Sequence, residues 1–448
     1  MNESIQIKKD IQKKKWKCLI CGVIFEGDEP PKICPVCGAD SSQFVEVTED
    51  SMSFKSNSKD RFIIIGNGAA GFNAAKSIRT RNTKADITLI SEEKYLTYYR
   101  PELSDYLATS IPDDKFYVTT PKWYDENNIE LILNTSVKSI NSKSKKIYLS
   151  DNKELLYDKL ILANGSVNFI PPIKGNDKKG VFTLKFLKDA DNIKEYMNKS
   201  KNAVVIGGGL LGLEAAWEMK KNGLSVTVVE FSDKLLPKQL DTKGAEIFKK
   251  YIDESGVSII LGDSADEIQG QDKVSSVKLK SGKIINADLV LFSVGIRPNK
   301  TLAENTGIKV NKGIIVNDKM ETSEKDIYAC GDICEYKERI YGNWPAAVEM
   351  GKTAGNNAVG NEVHFTSFVS SVIFAAMNCN LFSCGNFSED FKNISSSDSS
   401  KGIYSKLFFD NNKLVGGILI GETSKSGKIM LAIQSQKTLN DVLKEKFL

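Results

Sequence analysis

The chain has 448 residues, 41% hydrophobic and 26% charged, with a formal net charge of +4. That length suggests roughly three domains, and the balance excludes collagen-like, disordered and small disulfide-scaffold classes. No run of about 18 apolar residues occurs, so no membrane span is expected, and the small net charge gives no argument for nucleic acid.

The first fifteen residues are polar and lysine-rich, so no secretory leader is expected and the cytoplasm is the default compartment. Charge is unevenly spread: residues 16–50 carry −5 and residues 51–448 carry +6. The single histidine, His364, excludes a His-rich metal site and argues against Ser-His-Asp chemistry. The eight cysteines are Cys18, Cys21, Cys34, Cys37, Cys330, Cys334, Cys379 and Cys384. In a cytoplasmic chain, two tight C-x-x-C pairs read as a metal site.

Residues 16–47 form the first compact unit, within a domain placed at 1–50. It is too short for a self-sufficient hydrophobic core. Cys18-x-x-Cys21 and Cys34-x-x-Cys37 are twelve residues apart, and four thiolates in a tetrahedron suit iron or zinc. Trp16, Phe25, Phe44 and Pro30-Pro31 would surround the site with a shell that limits water and favours a redox role. The unit resembles the rubredoxin domain of rubrerythrins at Trp16, the four cysteines, Gly22, Phe25, Gly27, Pro31, Pro35, Gly38, Ala39 and Phe44. That resemblance implies iron, with zinc as the alternative occupant. Residues 51–60 read as a flexible polar linker spanning roughly 16–19 Å.

A strand, a glycine turn and a helix follow in F-I-I-I-G-N-G-A-A-G-F-N-A-A, then a second strand ending at Ser91. Gly66-x-Gly68-x-x-Gly71 lets the backbone approach a pyrophosphate at a helix N-terminus. The pattern restarts at Gly207-x-Gly209-x-x-Gly212, and residues 287–294 mirror 157–163, an internal repeat of the nucleotide-binding βαβ type. In the second copy Glu230 ends the next strand, where a carboxylate accepts from a ribose 2′-hydroxyl and repels a 2′-phosphate. No arginine follows it, which favours NADH over NADPH. In the first copy Ser91 stands at that position, and Glu92, or Glu93 beside it, must substitute.

The stretch around Gly331-Asp332 resembles the second flavin motif of the pyridine nucleotide–disulfide reductase superfamily, whose aspartate holds the flavin's ribitol chain. The resemblance implies that the first loop binds FAD and the second NADH. It extends the cofactor set to Ala69, Ala70, Val137, Ala163, Asn164 and Ala347 for the flavin, and to Leu210, Leu211 and Gly295 for the nicotinamide nucleotide. The region E-E-K-Y-L-T-Y-Y-R-P-E-L-S holds no cysteine, against disulfide reduction. It resembles instead flavoproteins that reduce rubredoxin and the flavin module of assimilatory nitrite reductases, in which Arg100 would face the FAD pyrophosphate. Trp344 and Pro345, in N-W-P-A-A-V-E-M-G, match the segment these enzymes place over the flavin pyrimidine ring. A helix starting near Ala347 would aim its positive end there. By the same resemblance Glu214 lies near the nicotinamide. The four later cysteines read as buried packing residues.

The expected fold is α/β: two Rossmann-like dinucleotide-binding domains, the NAD domain inserted in a split FAD domain, with a small rubredoxin-like metal domain and a C-terminal α+β domain. The expected boundaries are 61–170 and 294–365 for the FAD domain, 171–293 for the NAD domain and 366–448 for the tail. The tail shows strand-like stretches at 369–376 and 403–420, a solvated loop at 395–401 and a helix from about 426. The resemblance implies electron flow from NADH through FAD to the fused iron centre. It continues to acceptor proteins such as rubrerythrin-like or flavo-diiron proteins that remove oxygen or peroxide in an anaerobe. The other reading is an NADH oxidase or small-acceptor reductase with residues 16–47 as a zinc ribbon.

Overall fold

The computed structural model describes residues 14–18, 24–34, 41–46, 54–304, 306–366, 369–388 and 390–447. At the N-terminus β1 (Lys15–Cys18), β2 (Ile24–Glu26) and β3 (Phe44–Glu46) form a small antiparallel sheet with β1 in the middle. Phe25 and Phe44 meet edge to face at 5.7 Å, and Trp16 Nε1 donates to the carbonyl of Gly27.

The first large unit opens with β4 (Arg61–Ile65), α1 (Ala69–Arg81), β5 (Asp86–Ile90), β6 (Ile129–Ile132) and β7 (Lys159–Leu162). The chain then leaves for a second unit: β8 (Val181–Thr183), β9 (Asn202–Ile206), α2 (Leu210–Lys221), β10 (Ser225–Glu230), β11 (Ser258–Leu261) and β12 (Leu289–Phe292). It returns with β13 (Ile327–Ala329), which pairs with β7 to complete the first sheet in the order β13-β7-β4-β5-β6. The second sheet runs β8-β12-β9-β10-β11, and both are wholly parallel. The second unit is therefore an insertion in the first. Strands covered on both faces need no polar alternation, which is why they read as apolar runs such as F-I-I-I and L-I-L; Phe62, Ile64 and Leu160 to Leu162 are fully buried.

The helix α3 (Trp344–Ala358) starts three residues before the expected Ala347, capped by Asn343 Oδ1, which accepts from the Ala346 N–H, with proline in its first turn. It crosses α1 at backbone contact. A Cβ on Gly351 would sit 2.2 Å from the carbonyl oxygen of Ala70, so only glycine permits this approach.

The tail forms an antiparallel sheet of β14 (Ser371–Ala376), β15 (Cys379–Gly385), β16 (Lys392–Asp398), β17 (Ile403–Asp410) and β18 (Lys413–Ile420), in the order β14-β15-β18-β17-β16. The helix α4 (Ser426–Gln434) packs on it. The serine stretch expected as a loop is instead largely the edge strand β16. Its side chains are mostly exposed, so it carries no apolar period. Cys379 and Cys384 share β15 but sit five residues apart. They therefore face opposite sides of the sheet and join different cores, which rules out a bond between them. Cys330 and Cys334 are buried in the first core.

The expected linker differs as well. Residues 54–60 lie against the body: the Ser56 N–H donates to the carbonyl of Arg81 at 2.9 Å, and Asn82 Nδ2 donates to that of Ser58 at 3.0 Å.

Candidate active site

Between the carboxyl ends of the first sheet, the tail sheet and the start of α3 lies a cleft of ≈ 980 Å³. Gly66, Gly68, Ala69, Ala70, Glu92, Glu93, Arg100, Val137, Ala163, Asn164, Gly331, Asp332, Trp344, Pro345 and Ala347 all line it, as does Glu214 from α2. Gly71 does not; it packs under the loop, where a Cβ would fall 1.8 Å from the carbonyl oxygen of Gly66. A Cβ on Gly68, by contrast, meets nothing within 4 Å. That glycine leaves room at the helix N-terminus where a pyrophosphate binds. Asn67 Nδ2 and Asn164 Oδ1 are buried in this cleft without a protein partner. Open glycine backbone, orphaned amides and a carboxylate at Asp332 fit FAD.

The two candidate carboxylates after β5 differ. Glu93 is engaged: Oε1 accepts from Arg100 Nη2 at 2.9 Å and Oε2 from the Tyr98 hydroxyl at 2.8 Å. Glu92 is exposed toward the cleft. Arg100 also donates from Nη1 to the carbonyl of Lys185 at 2.5 Å and lies over the rings of Tyr98 and Phe186.

Lys185 is absent from the sequence expectations. Its Nζ donates to Ser166 Oγ at 2.6 Å, and that hydroxyl donates to Asp332 Oδ2 at 3.1 Å. Burial pulls its ammonium down to about 8, against the attraction of Asp332. Among 55 lysines, nothing in the sequence marks this one.

A second cleft of ≈ 850 Å³ opens at the carboxyl ends of β9, β10 and β12. Gly207, Gly209, Leu210, Leu211, Glu230 and Gly295 line it, while Gly212 packs beneath, its Cβ position 2.2 Å from the carbonyl oxygen of Gly207. Glu230 is pinned: Oε2 accepts from the Gly208 N–H at 2.6 Å and Oε1 from the Ser232 N–H at 2.8 Å. Lys238 and Lys280 also line this cleft, two cations that lie too far along the chain for the strand-end pattern to show. The two clefts share Asn168, Leu184, Leu211, Ile296 and Gly342. They therefore meet, with Glu214 close to the junction.

Glu214 sits among carboxylates. Burial, then Asp105, pushes it up to about 8, although Ser104 Oγ donates to it at 3.1 Å. Glu102 is pushed to about 7 by burial and Asp105. A carboxyl raised on folding adds stability below its ordinary range and loses it as pH rises toward the folded value. The melting temperature is expected to fall from pH 5 to pH 8, and Glu214→Gln to flatten that fall; an unchanged slope would contradict the assignment.

Of the four module cysteines, Cys18 and Cys34 are buried, and Cys21 and Cys37 lie outside the described residues. Two dry thiols in an aromatic shell fit a soft-ligand metal. None of the described cysteines lines either cleft, and burial pushes Cys330, Cys334 and Cys384 far up and Cys379 to about 12.

Residues 60–351 match the family model described as pyridine nucleotide-disulphide oxidoreductase. The chain belongs to the pyridine nucleotide-disulphide oxidoreductase family. It is an FAD-dependent oxidoreductase, and two further family models match its C-terminal and N-terminal parts. Residues 371–437 match the rubredoxin NAD+ reductase C-terminal domain, and residues 16–45 the rubredoxin-like domain of rubrerythrin. The chain is 35% identical over 86% of its length to a nitrite reductase [NAD(P)H] of Bacillus subtilis, and spans about half of that relative, 48%. It is 31% identical to an NADH-rubredoxin oxidoreductase of Clostridium acetobutylicum, covering 85% of this chain and 96% of that one. The solved structure of that enzyme covers 86% of this chain with a TM-score of 0.72. A NAD-dependent persulfide reductase from A. fulgidus superposes with a TM-score of 0.80 at 28% identity, covering 86% of this chain and 78% of its own. Within this pyridine nucleotide-disulphide oxidoreductase, no helix among the described residues is long and apolar enough to cross a membrane.

Proposed function

We propose that the chain is an NADH-dependent flavoprotein that delivers electrons to its own N-terminal four-cysteine module and thence to an acceptor protein. One juxtaposition carries the reading. The two nucleotide clefts meet at Leu184, Leu211 and Ile296, and the module lies on the far side of the first cleft, with Cys18, Cys34 and Phe44 in one apolar cluster with Tyr99. Tyr99 in turn meets Trp344 edge to face at 4.9 Å, and both line that cleft.

FAD held in the first cleft supplies the chemistry of taking up a hydride and giving out electrons singly. The residues of the chain supply placement. Gly66, Gly68 and the N-terminus of α1 hold the flavin pyrophosphate, Glu92 the adenosine ribose and Asp332, braced by Ser166 and Lys185, the ribitol. Arg100 is positioned between Glu93 and the carbonyl of Lys185. The N-terminus of α3, with Trp344, Pro345 and Ala347, faces the flavin ring, where its dipole favours negative charge. Gly207, Gly209, Leu210, Leu211 and Gly295 hold the nicotinamide nucleotide, and Glu214 stands beside the nicotinamide. Val137, Ala69, Ala70, Ala163 and Asn164 close the flavin cleft. Cys18, Cys21, Cys34 and Cys37 hold the metal, iron in this reading.

Glu230, with no arginine in the second cleft, supports NADH as the donor despite Lys238 and Lys280. Comparing kcat/KM for the two nucleotides should show an NADH preference that Glu230→Ala narrows; a preference for NADPH would contradict it. Rubrerythrin-like or flavo-diiron proteins are the acceptors the reading favours, in oxygen or peroxide removal in the cytoplasm of an anaerobe. Anaerobic titration of the full chain with NADH tests the relay. Bleaching of the flavin absorbance and of a red thiolate–iron absorbance supports it; bleaching of the flavin alone, in a protein shown to hold iron, opposes it.

A further inference from the structure

The module does not merely hang from the body. Lys17, on β1 next to Cys18, donates to Glu349 Oε1 at 2.9 Å, and Lys352 of the same helix α3 donates to that oxygen at 2.9 Å. Gln43, almost wholly buried, donates to Ser426 at the start of α4. Between these two points Phe44 continues the buried cluster that includes Tyr99 and the tail sheet. Burial raises the proton affinity of Glu349, yet Lys352 and Lys17 outweigh that and hold it ionised.

Residues 54–60 are held along α1, so the described part of the module, which ends at Glu46, is tethered by its chain to a point fixed on the body at Phe54. Eight Cα steps from Glu46 to Phe54 reach at most about 28 Å. A released module therefore stays at high local concentration above its own docking face.

We propose that Glu349 and Lys352 of α3, Ser426 of α4 and Tyr99 form the docking surface for the chain's own N-terminal module, with Lys17–Glu349 as its reversible clasp. This rests on the reading that the module takes electrons from the first cleft, and adds where it sits and what releases it. The clasp is partly exposed, 30% for Lys17 and 31% for Glu349, so it is weak and screened by salt. Gln43 and Phe44 supply register and apolar contact. Release exposes the module to an external acceptor, and the tether brings it back.

Zero-length carbodiimide cross-linking of the full chain, mapped by mass spectrometry, tests this. At about 50 mM salt the Lys17–Glu349 link is expected as a major intramolecular product, falling about fivefold at about 0.5 M salt. Lys17→Glu should abolish it, and Lys17→Glu with Glu349→Lys should restore a link between the same two positions. Absence of the wild-type link overturns the docking surface, and a yield insensitive to salt overturns the reversible clasp, even if NADH still reduces the module's metal. A salt-sensitive link restored by the charge swap upholds it even if the metal stays oxidised, and that result would count against the relay alone. The salt series needs no variant, so a misfolded substitution cannot obscure the outcome.

Discussion

Removing residues 1–53 leaves reduction of the bound flavin by NADH unchanged and slows electron delivery to an acceptor protein by more than about tenfold, the scale set by replacing a tethered partner with a dilute one. Among the described residues, none before Ile65 lines either cleft, so both nucleotide sites are expected to survive the cut. The cut is placed at residue 53 because Phe54 packs against the first core and Ser56 and Ser58 are bonded to the end of α1. Cys37→Ala should act like the truncation, since it removes one of the four thiolates of the proposed metal site. Added free rubredoxin should restore part of the delivery. Stopped-flow reduction measures the first step and acceptor reduction the second; a truncated protein that serves the acceptor as fast as the full chain would make the module a passenger.

Gly68→Val is expected to give a folded protein without flavin, whereas Gly71→Ala should lower the melting temperature sharply. The two glycines belong to one loop but answer to different neighbours. A Cβ on Gly68 meets no protein atom within 4 Å, and Gly68 lines the cleft, so the added side chain is expected to displace a ligand and not the protein. A Cβ on Gly71 collides with the carbonyl oxygen of Gly66 at 1.8 Å and must push the loop off the sheet, at a cost of about 3 kcal/mol. Flavin content per chain and the melting temperature of each variant separate the cases. A Gly68→Val protein that keeps a full complement of flavin would show that the pyrophosphate does not lie over this loop.

Much of the fold was legible because its signals are local. F-I-I-I followed by Gly66-x-Gly68-x-x-Gly71, and its copy at Gly207, announce buried parallel strands that run into phosphate-binding turns, and the structure holds both. The return of Asp332 to the first sheet was legible only through resemblance, since no periodicity links residue 327 to residue 160. Other features were hidden for physical reasons. Lys185 reaches Ser166 and Asp332 across the fold, and distance in sequence conceals such a contact. The serines of β16 lie on an edge whose side chains face water, so a strand there looks like a loop. Residues 54–60 are polar and read as linker, yet their backbone satisfies groups at the end of α1, a pairing that composition cannot reveal. Lys238 and Lys280 belong to the same class: they enter the second cleft from loops beyond the strand end that the dinucleotide pattern inspects.

The most direct test of the central claim is the kinetic order of metal reduction in the full chain. Iron-loaded protein is mixed anaerobically with excess NADH at several protein concentrations, and the flavin and thiolate–iron absorbances are followed together. Loss of the iron band is expected to follow loss of the flavin band with a rate constant independent of protein concentration, because donor and acceptor share one chain. A rate that rises in proportion to protein concentration, or an iron band that persists after the flavin is fully bleached, would contradict it.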